Sequence, residues 1–262
     1  YSYMEKFGLG QKTGITINGE SAGILMPKSS VKTVDLARMG FGHAIAVTPI
    51  QLLSIVAGIT NGGVYHTPTV IKEITDVDGN VTYTPQVKEK RIISETTSEI
   101  VNGLLQKAEN KTGDYTFVEG YNVGGKTGTA QKYDESGKIA NGKYISSFIG
   151  TYPADNPKYL FMILVDEPSA GAYYGSIVAA PYGKSFFSQL FEFYNIPKDD
   201  PSVVLEEVIM PQVVGLSLAN AVAELKKVGL EYEIDGDGSI ITKQLPPAGT
   251  KIYKGSVVLL VT

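Results

Sequence analysis

The run Gly124-Gly125-Lys126-Thr127-Gly128-Thr129-Ala130 concentrates more usable chemistry than any other stretch of this chain. It precedes a polar turn and a strand-like stretch from Tyr144 to Tyr152. A lysine, two hydroxyls and small residues on a strand edge make a rail for a carboxylate. Lys126 and the hydroxyls of Thr127 and Thr129 are donors to an anionic group. Glycine at Gly128 lets a substrate backbone lie close to the strand.

The tripeptide K-T-G occurs three times, so the bare motif carries little weight. Lys12-Thr13-Gly14 follows Phe7-Gly8-Leu9-Gly10 and reads as a turn. Lys111-Thr112-Gly113 follows a helical stretch, where a cation and a glycine stop are the ordinary expectation. Only the copy at Lys126 has a Gly-Gly lead and a β-branched, aromatic strand behind it, Ser146 to Tyr152.

The elements that must position this rail can be read from periodicity and caps. Thr48 as N-cap and Pro49 at the first helical position open a helix that Asn61-Gly62-Gly63 stops. Residues 69–83 read as a hairpin with Asp78-Gly79-Asn80 at its turn. Ser94 to Lys107 reads as a helix capped by Ser94 or Thr97, with Ile100, Leu104 and Leu105 on one face. Asp134 to Gly137 is a polar hairpin tip. Strands Tyr144–Tyr152 and Tyr159–Asp166 follow, joined by a turn at Asp155-Asn156-Pro157. A closing helix over Pro181 to Tyr194 has Phe186, Phe187, Leu190, Phe191 and Tyr194 as its expected buried face.

A proline-punctuated stretch, residues 197–209, reads as a linker between a larger unit, 1–196, and a small one, 210–262. In the small unit Ser217 caps a helix carrying Leu218, Val222, Leu225 and Val228, and Gly229 ends it. Leu230, Tyr232 and Ile234 alternate as in a half-exposed strand, and strands over Ser239–Lys243 and Ser256–Val261 follow. The predicted order there is strand, helix, three strands.

Composition narrows the function classes. The chain has 262 residues, 43% of them hydrophobic and 19% charged, which is ordinary for a globular protein. A net charge of −4 without a basic patch argues against nucleic acid as a partner. There is no cysteine, which rules out a disulfide framework and thiolate chemistry. Apolar runs such as Tyr159–Val165 fall far short of the roughly 20 residues that span a bilayer. The opening residues, Tyr1 to Gly8, read like the middle of a helix that starts upstream, so the chain is expected to be the C-terminal part of something longer.

Taken together, these pieces resemble a class B penicillin-binding protein. K-T-G is a signature of penicillin-binding proteins and class A β-lactamases. The Phe7–Ile15 stretch resembles the segment after the family's active-site helices. Gly40-Phe41-Gly42-His43-Ala44-Ile45-Ala46-Val47-Thr48-Pro49-Ile50-Gln51 resembles its F-G-Q-G-I-x-V-T-P-x-Q block. Gly125 to Ala130 resembles its third catalytic motif. Met210 to Leu216 and Gln244 to Gly249 resemble a single PASTA domain. The resemblance implies an α+β fold: the C-terminal part of a transpeptidase domain, an antiparallel sheet with flanking helices, followed by a βαβββ PASTA domain.

The resemblance also implies an activity, acyl transfer at the D-alanyl-D-alanine end of a peptidoglycan stem peptide. Lys126 would then bond the second-motif serine, Thr127 and Thr129 would bind the substrate carboxylate, and the Thr129 N–H would form half the oxyanion hole. Gly128 would keep the strand edge open. Implied partners are the stem peptide, β-lactam antibiotics, an N-terminal part of the same enzyme and a membrane glycosyltransferase of division or sporulation. The implied place is the extracytoplasmic face of a Gram-positive cell membrane.

Two departures stand out. The one S-x-x-K, Ser29-Ser30-Val31-Lys32, falls after the Phe7 block rather than before it, and no S-x-N occurs. The nucleophile is therefore expected outside this chain, which alone should be inert. His43 stands where the family commonly has Gln. It reads as a hydrogen-bonded histidine; the other reading, a metal ligand for zinc, would need partners from elsewhere. The family reaction itself requires no cofactor. Competing readings are a β-lactamase or carboxypeptidase with the same rail, against which the PASTA-like tail argues, and a β-lactam- or muropeptide-sensing receptor or non-catalytic wall-binding module.

Overall fold

A computed structural model of the chain describes residues 1–109, 118–133, 139–169, 171–202 and 206–262. It separates into two units, Tyr1–Asp199 and Asp200–Thr262. The Lys111-Thr112-Gly113 copy and the hairpin tip Asp134 to Gly137 lie outside the described residues.

The larger unit opens with α1 (Ser2–Lys6), a 3-10 turn at Lys28–Ser30 and α2 (Thr33–Met39). Helix α3 (Pro49–Thr60) starts where the sequence predicts. Thr48 Oγ1 accepts from the Gln51 N–H at 3.2 Å, and Gln51 Oε1 accepts from the Thr48 N–H at 2.8 Å. This reciprocal box satisfies two otherwise orphaned donors. Gln51 is 2% exposed, and its Nε2 donates to the carbonyls of Gln11 (2.6 Å) and Ala22 (2.8 Å). One side chain thus caps a helix and holds two distant loops.

Strand β1 (Val64–His66) is followed by the small hairpin β2 (Ile74–Thr75) and β3 (Val81–Tyr83), then by β4 (Glu89–Arg91), which pairs back onto β1. The hairpin turn is built on Asp76, whose Oδ1 accepts from the N–H groups of Asp78 (3.0 Å) and Asn80 (2.9 Å). Helix α4 (Glu95–Glu109) is capped by Ser94, which accepts from the Thr97 N–H at 3.1 Å.

The expected apolar face of α4 needs correction. Ile100 is 60% exposed and Leu104 58%; the inward residues are Ser98 and Asn102, with Leu105 half-buried. Ser98 Oγ donates to the Ile59 carbonyl at 2.5 Å, and Asn102 Nδ2 donates to the Thr60 carbonyl at 3.0 Å. These carbonyls end α3 and have no partner within their own helix. Satisfying them at a buried helix end outweighs the apolar periodicity of α4.

The sheet that carries the rail is antiparallel, in the order β5 (Gly124–Tyr133), β6 (Ile139–Tyr152), β7 (Tyr159–Asp166). After it come a single helical turn, α5 (Gly175–Val178), and the long α6 (Ala180–Phe193). Phe148 of β6 and Phe187 of α6 are fully buried at the centre of the core, beside Tyr152 and Phe191. A Cβ at Gly183 would run into the Phe148 ring, so this glycine sets how closely α6 lies on the sheet. Tyr194 departs from its expected place: it follows the last turn of α6 and is 57% exposed.

The smaller unit contains β8 (Glu207–Ile209), α7 (Leu218–Lys227), β9 (Glu231–Asp235), β10 (Lys243–Leu245), β11 (Lys251–Tyr253) and β12 (Val257–Val261). Ser217 caps α7, accepting from the Asn220 N–H at 3.4 Å. The sheet order is β10-β12-β9, with β12 parallel to β9, while β8 and β11 form a separate antiparallel ribbon. Two details differ from the sequence reading. The strand placed at Ser239–Lys243 starts only at Lys243, Ile240 making a lone bridge to Ser217. The extra strand β11 gives β8, inside the stretch read as linker, a partner. Leu225, Leu230, Val258 and Leu260 fill the core between α7 and the sheet.

Candidate active site

Among the described residues, strand β5 is the outer strand of its sheet, paired only with β6. An antiparallel strand bonded on one side leaves alternate N–H and C=O groups directed outward. The register sets Lys126 opposite Ile149, Gly128 opposite Ser147 and Thr129 opposite Ser146. Because side chains alternate, Lys126 and Gly128 share one face of β5, and Thr127 and Thr129 share the other. The sequence rail therefore exists as one exposed strand edge, with cation and hydroxyls on opposite faces.

Lys126 is exposed, and its Nζ donates to the Thr127 carbonyl at 2.6 Å. Among the described residues it makes no ion pair. Farther along β5, Lys132 is neutralised by Asp166 (2.9 Å) and Glu167 (2.7 Å). The uncompensated positive charge of this edge thus sits at Lys126. On its face a cavity of about 340 Å³ opens between sheet and helices. Leu52 and Val56 of α3, Val101 and Leu105 of α4, and Met162 of β7 line it, with Lys126, Thr127, Gly128 and Ser147 on its polar side.

On the other face Thr129 Oγ1 accepts from the Gly175 N–H at 3.0 Å. Ser146 Oγ donates to the Tyr173 carbonyl, and the Tyr173 ring stacks on Tyr144 with centroids 4.0 Å apart. The segment 173–175 therefore lies on β5 and β6. Sequence reasoning missed Gly175, Ser146 and Tyr173 as neighbours of the rail. The small residue after two tyrosines is the one local sign, and it does not say which strand it meets.

Lys12-Thr13-Gly14, read as a turn, is an irregular segment just before the turn at 16–19, and its donors are closed off by Glu20. Glu20 Oε1 accepts from both the N–H and the hydroxyl of Thr13 at 2.6 Å, and Oε2 accepts from the Gly14 N–H at 3.1 Å. Burial pushes the Glu20 carboxyl up. The Thr13 and Gly14 hydrogen bonds and the charge of Lys12 outweigh it and hold Glu20 below its ordinary value. Ser29 is exposed on the 3-10 turn. His43 is half-buried, its ring 5.1 Å from that of Phe41. Among the described residues no group of three or more His, Cys, Asp or Glu is placed to hold a metal ion. Nor is any helix among them long and apolar enough to cross a membrane.

Residues 1–191 match the penicillin binding protein transpeptidase domain, and residues 208–262 match the PASTA domain. Stage V sporulation protein D of Bacillus subtilis is 39% identical over 266 residues, covering 98% of this chain and 41% of that protein. Penicillin-binding protein PbpB of Mycobacterium tuberculosis is 33% identical over 209 residues, covering 75% of this chain and 30% of that protein. The apo crystal structure of penicillin-binding protein 3 from the same genus aligns with a TM-score of 0.69 at 32% identity, over 78% of this chain and 48% of that one. Complexes of that protein with ampicillin and with aztreonam share the fold. The chain spans about two fifths or less of the curated relatives it matches. An edge strand bearing Lys126, Thr127, Gly128 and Thr129, set in a sheet and helices of this fold, makes the chain a member of the class B penicillin-binding protein family, with a PASTA domain at its C-terminal end.

Proposed function

We propose that this chain is the carboxylate-anchoring and oxyanion part of a serine D,D-transpeptidase that cross-links peptidoglycan stem peptides and is acylated by β-lactams. The carrying observation is the free edge of β5, where a lysine with no ion pair among the described residues and two threonine hydroxyls flank outward-facing backbone groups. In the reaction a serine oxygen attacks the D-alanyl carbonyl, the tetrahedral oxyanion collapses, and D-alanine leaves. An amine of a second peptide then takes the acyl group.

Each residue of the edge has a role in that sequence. Thr127 and Thr129 hold the terminal carboxylate by hydroxyl hydrogen bonds. The Thr129 N–H stabilises the oxyanion. Lys126, on the cavity face, bonds the second-motif serine and adds positive potential where the nucleophile is activated. Gly128 keeps the strand edge open to the substrate backbone; a Cβ there would also press on Ser147 Oγ of the neighbouring strand, at 2.6 Å. The nucleophile comes from a segment outside this chain, for which the cavity beside Lys126 leaves space. The PASTA unit faces the wall on the outer side of the membrane and takes no part in the chemistry.

The test uses the full-length protein and benzylpenicillin. Thr129→Val keeps the shape and removes the hydroxyl. Acylation followed by intact mass should slow by about 100-fold, the scale of losing one preorganised donor. A rate within twofold of the parent would overturn the assignment of the rail. The chain 1–262 by itself should form no penicilloyl adduct, and an adduct on Ser29 would overturn the placement of the nucleophile.

A further inference from the structure

A hydroxyl has one proton to give and two lone pairs to fill. At Thr129 one lone pair is already taken by the Gly175 N–H, at 3.0 Å. The proton of Thr129 cannot then point toward Gly175 and must turn elsewhere. The hydroxyl is exposed on the free edge of β5, so its proton is left to turn toward solvent there.

The approach of Gly175 is possible for glycine alone. A Cβ built there would run into the Gly128 carbonyl oxygen and come within 2.6 Å of the Ser147 carbonyl oxygen and 3.2 Å of the Gly128 nitrogen. All three are backbone atoms of paired strands, which cannot move aside without breaking the sheet. Two further contacts press the segment onto the strands: Ser146 Oγ donates to the Tyr173 carbonyl, and Tyr173 stacks on Tyr144. Beyond it the chain is anchored by Ala179 and Ala180, both fully buried.

We infer that Gly175 is a positioning residue of the acyl-transfer site: its N–H sets the direction in which Thr129 donates to the substrate carboxylate, and its missing side chain permits that contact. The inference rests on the reading of Thr129 as a carboxylate ligand. It predicts an effect that depends on the carboxylate of the acyl donor, which a general loss of structure would not show.

The experiment compares benzylpenicillin with its methyl ester on the full-length protein, measuring the second-order acylation rate by intact mass. In the parent the acid should react much faster than the ester. Gly175→Ala should slow the acid by tenfold or more and the ester by no more than twofold, narrowing the acid-to-ester ratio. Thr129→Val serves as the reference for the underlying reading. If Thr129→Val leaves the ratio unchanged, Thr129 is not a carboxylate ligand and both readings fall. If Thr129→Val collapses the ratio but Gly175→Ala does not, or slows acid and ester equally, Gly175 has no positioning role. Should Gly175→Ala fail to fold, Ser146→Ala decides, because it releases the Tyr173 carbonyl without adding bulk. A loss of threefold or more confined to the acid supports the inference, and no loss or an equal loss overturns it.

Discussion

Lys12-Thr13-Gly14 and Lys126-Thr127-Gly128 are one tripeptide in two settings. In the first, the donors are spent inside the protein: the Thr13 N–H and hydroxyl and the Gly14 N–H all serve the Glu20 carboxylate. In the second, the tripeptide is stretched along an edge strand with no internal carboxylate, and Lys126 makes no ion pair among the described residues. The first copy carries its own anion; on the reading proposed above, the second presents its donors to one from outside. The tripeptide supplies the same donors each time, and the fold decides whether they are already used.

The comparison can be broken most sharply at the lysines. In the full-length protein, Lys126→Ala should slow acylation by fluorescent penicillin by 100-fold or more, on the scale of removing a preorganised charged donor. Lys12→Ala should leave the rate within about twofold, a change below 0.5 kcal/mol of barrier. Equal losses at both positions would erase the distinction between the two copies.

The next effect lies in the support of the first copy. Gln51 is buried and holds the Gln11 carbonyl, next to Lys12, as well as the start of α3. Gln51→Ala leaves the Thr48 N–H and two carbonyls short of a partner. It should destabilise the larger unit by about 2–3 kcal/mol, read as a fall in the denaturant midpoint. A change under about 0.5 kcal/mol would mean that water replaces the side chain at no cost.

A smaller, pH-dependent effect belongs to Glu20. Its folded carboxyl is held below the ordinary value. The stabilisation is therefore fully present above the unfolded value, about 4.3, and is lost as the pH falls through the lower folded value. Glu20→Gln should cost about 1 kcal/mol at pH 7, modest because the site is open to solvent. The difference between parent and variant should stay constant from pH 7 to 5 and shrink below about 4.3. A difference that grew on acidification would contradict the hydrogen-bonded carboxylate.

The smallest effect is expected from the second unit. Removing residues 202–262 from the full-length protein should leave the acylation rate within about threefold, less than 1 kcal/mol of barrier. A tenfold loss would make the tail part of the active-site architecture.

Features decided between near neighbours along the chain were legible in residue type and spacing. The caps at Thr48, Ser94 and Ser217 and the turn at Asp76 are interactions within a few residues, so residue type and spacing specify them. The strand character of the Lys126 run followed from the same local logic, a Gly-Gly lead and a β-branched partner strand. The tertiary structure decided what depends on residues far apart. Ile100 and Leu104 face outward because Ser98 and Asn102 must satisfy the carbonyls that end α3. Tyr194 lies past the turn at which α6 leaves the core, and β8 becomes a strand only because β11 meets it. Gly175 settles on the second tripeptide through a contact of forty-six residues' separation, while Glu20 claims the donors of the first across a loop of six and seven. A hydrogen-bond donor is written in the sequence, but its partner is chosen by whichever acceptor the packed backbone brings within about 3 Å.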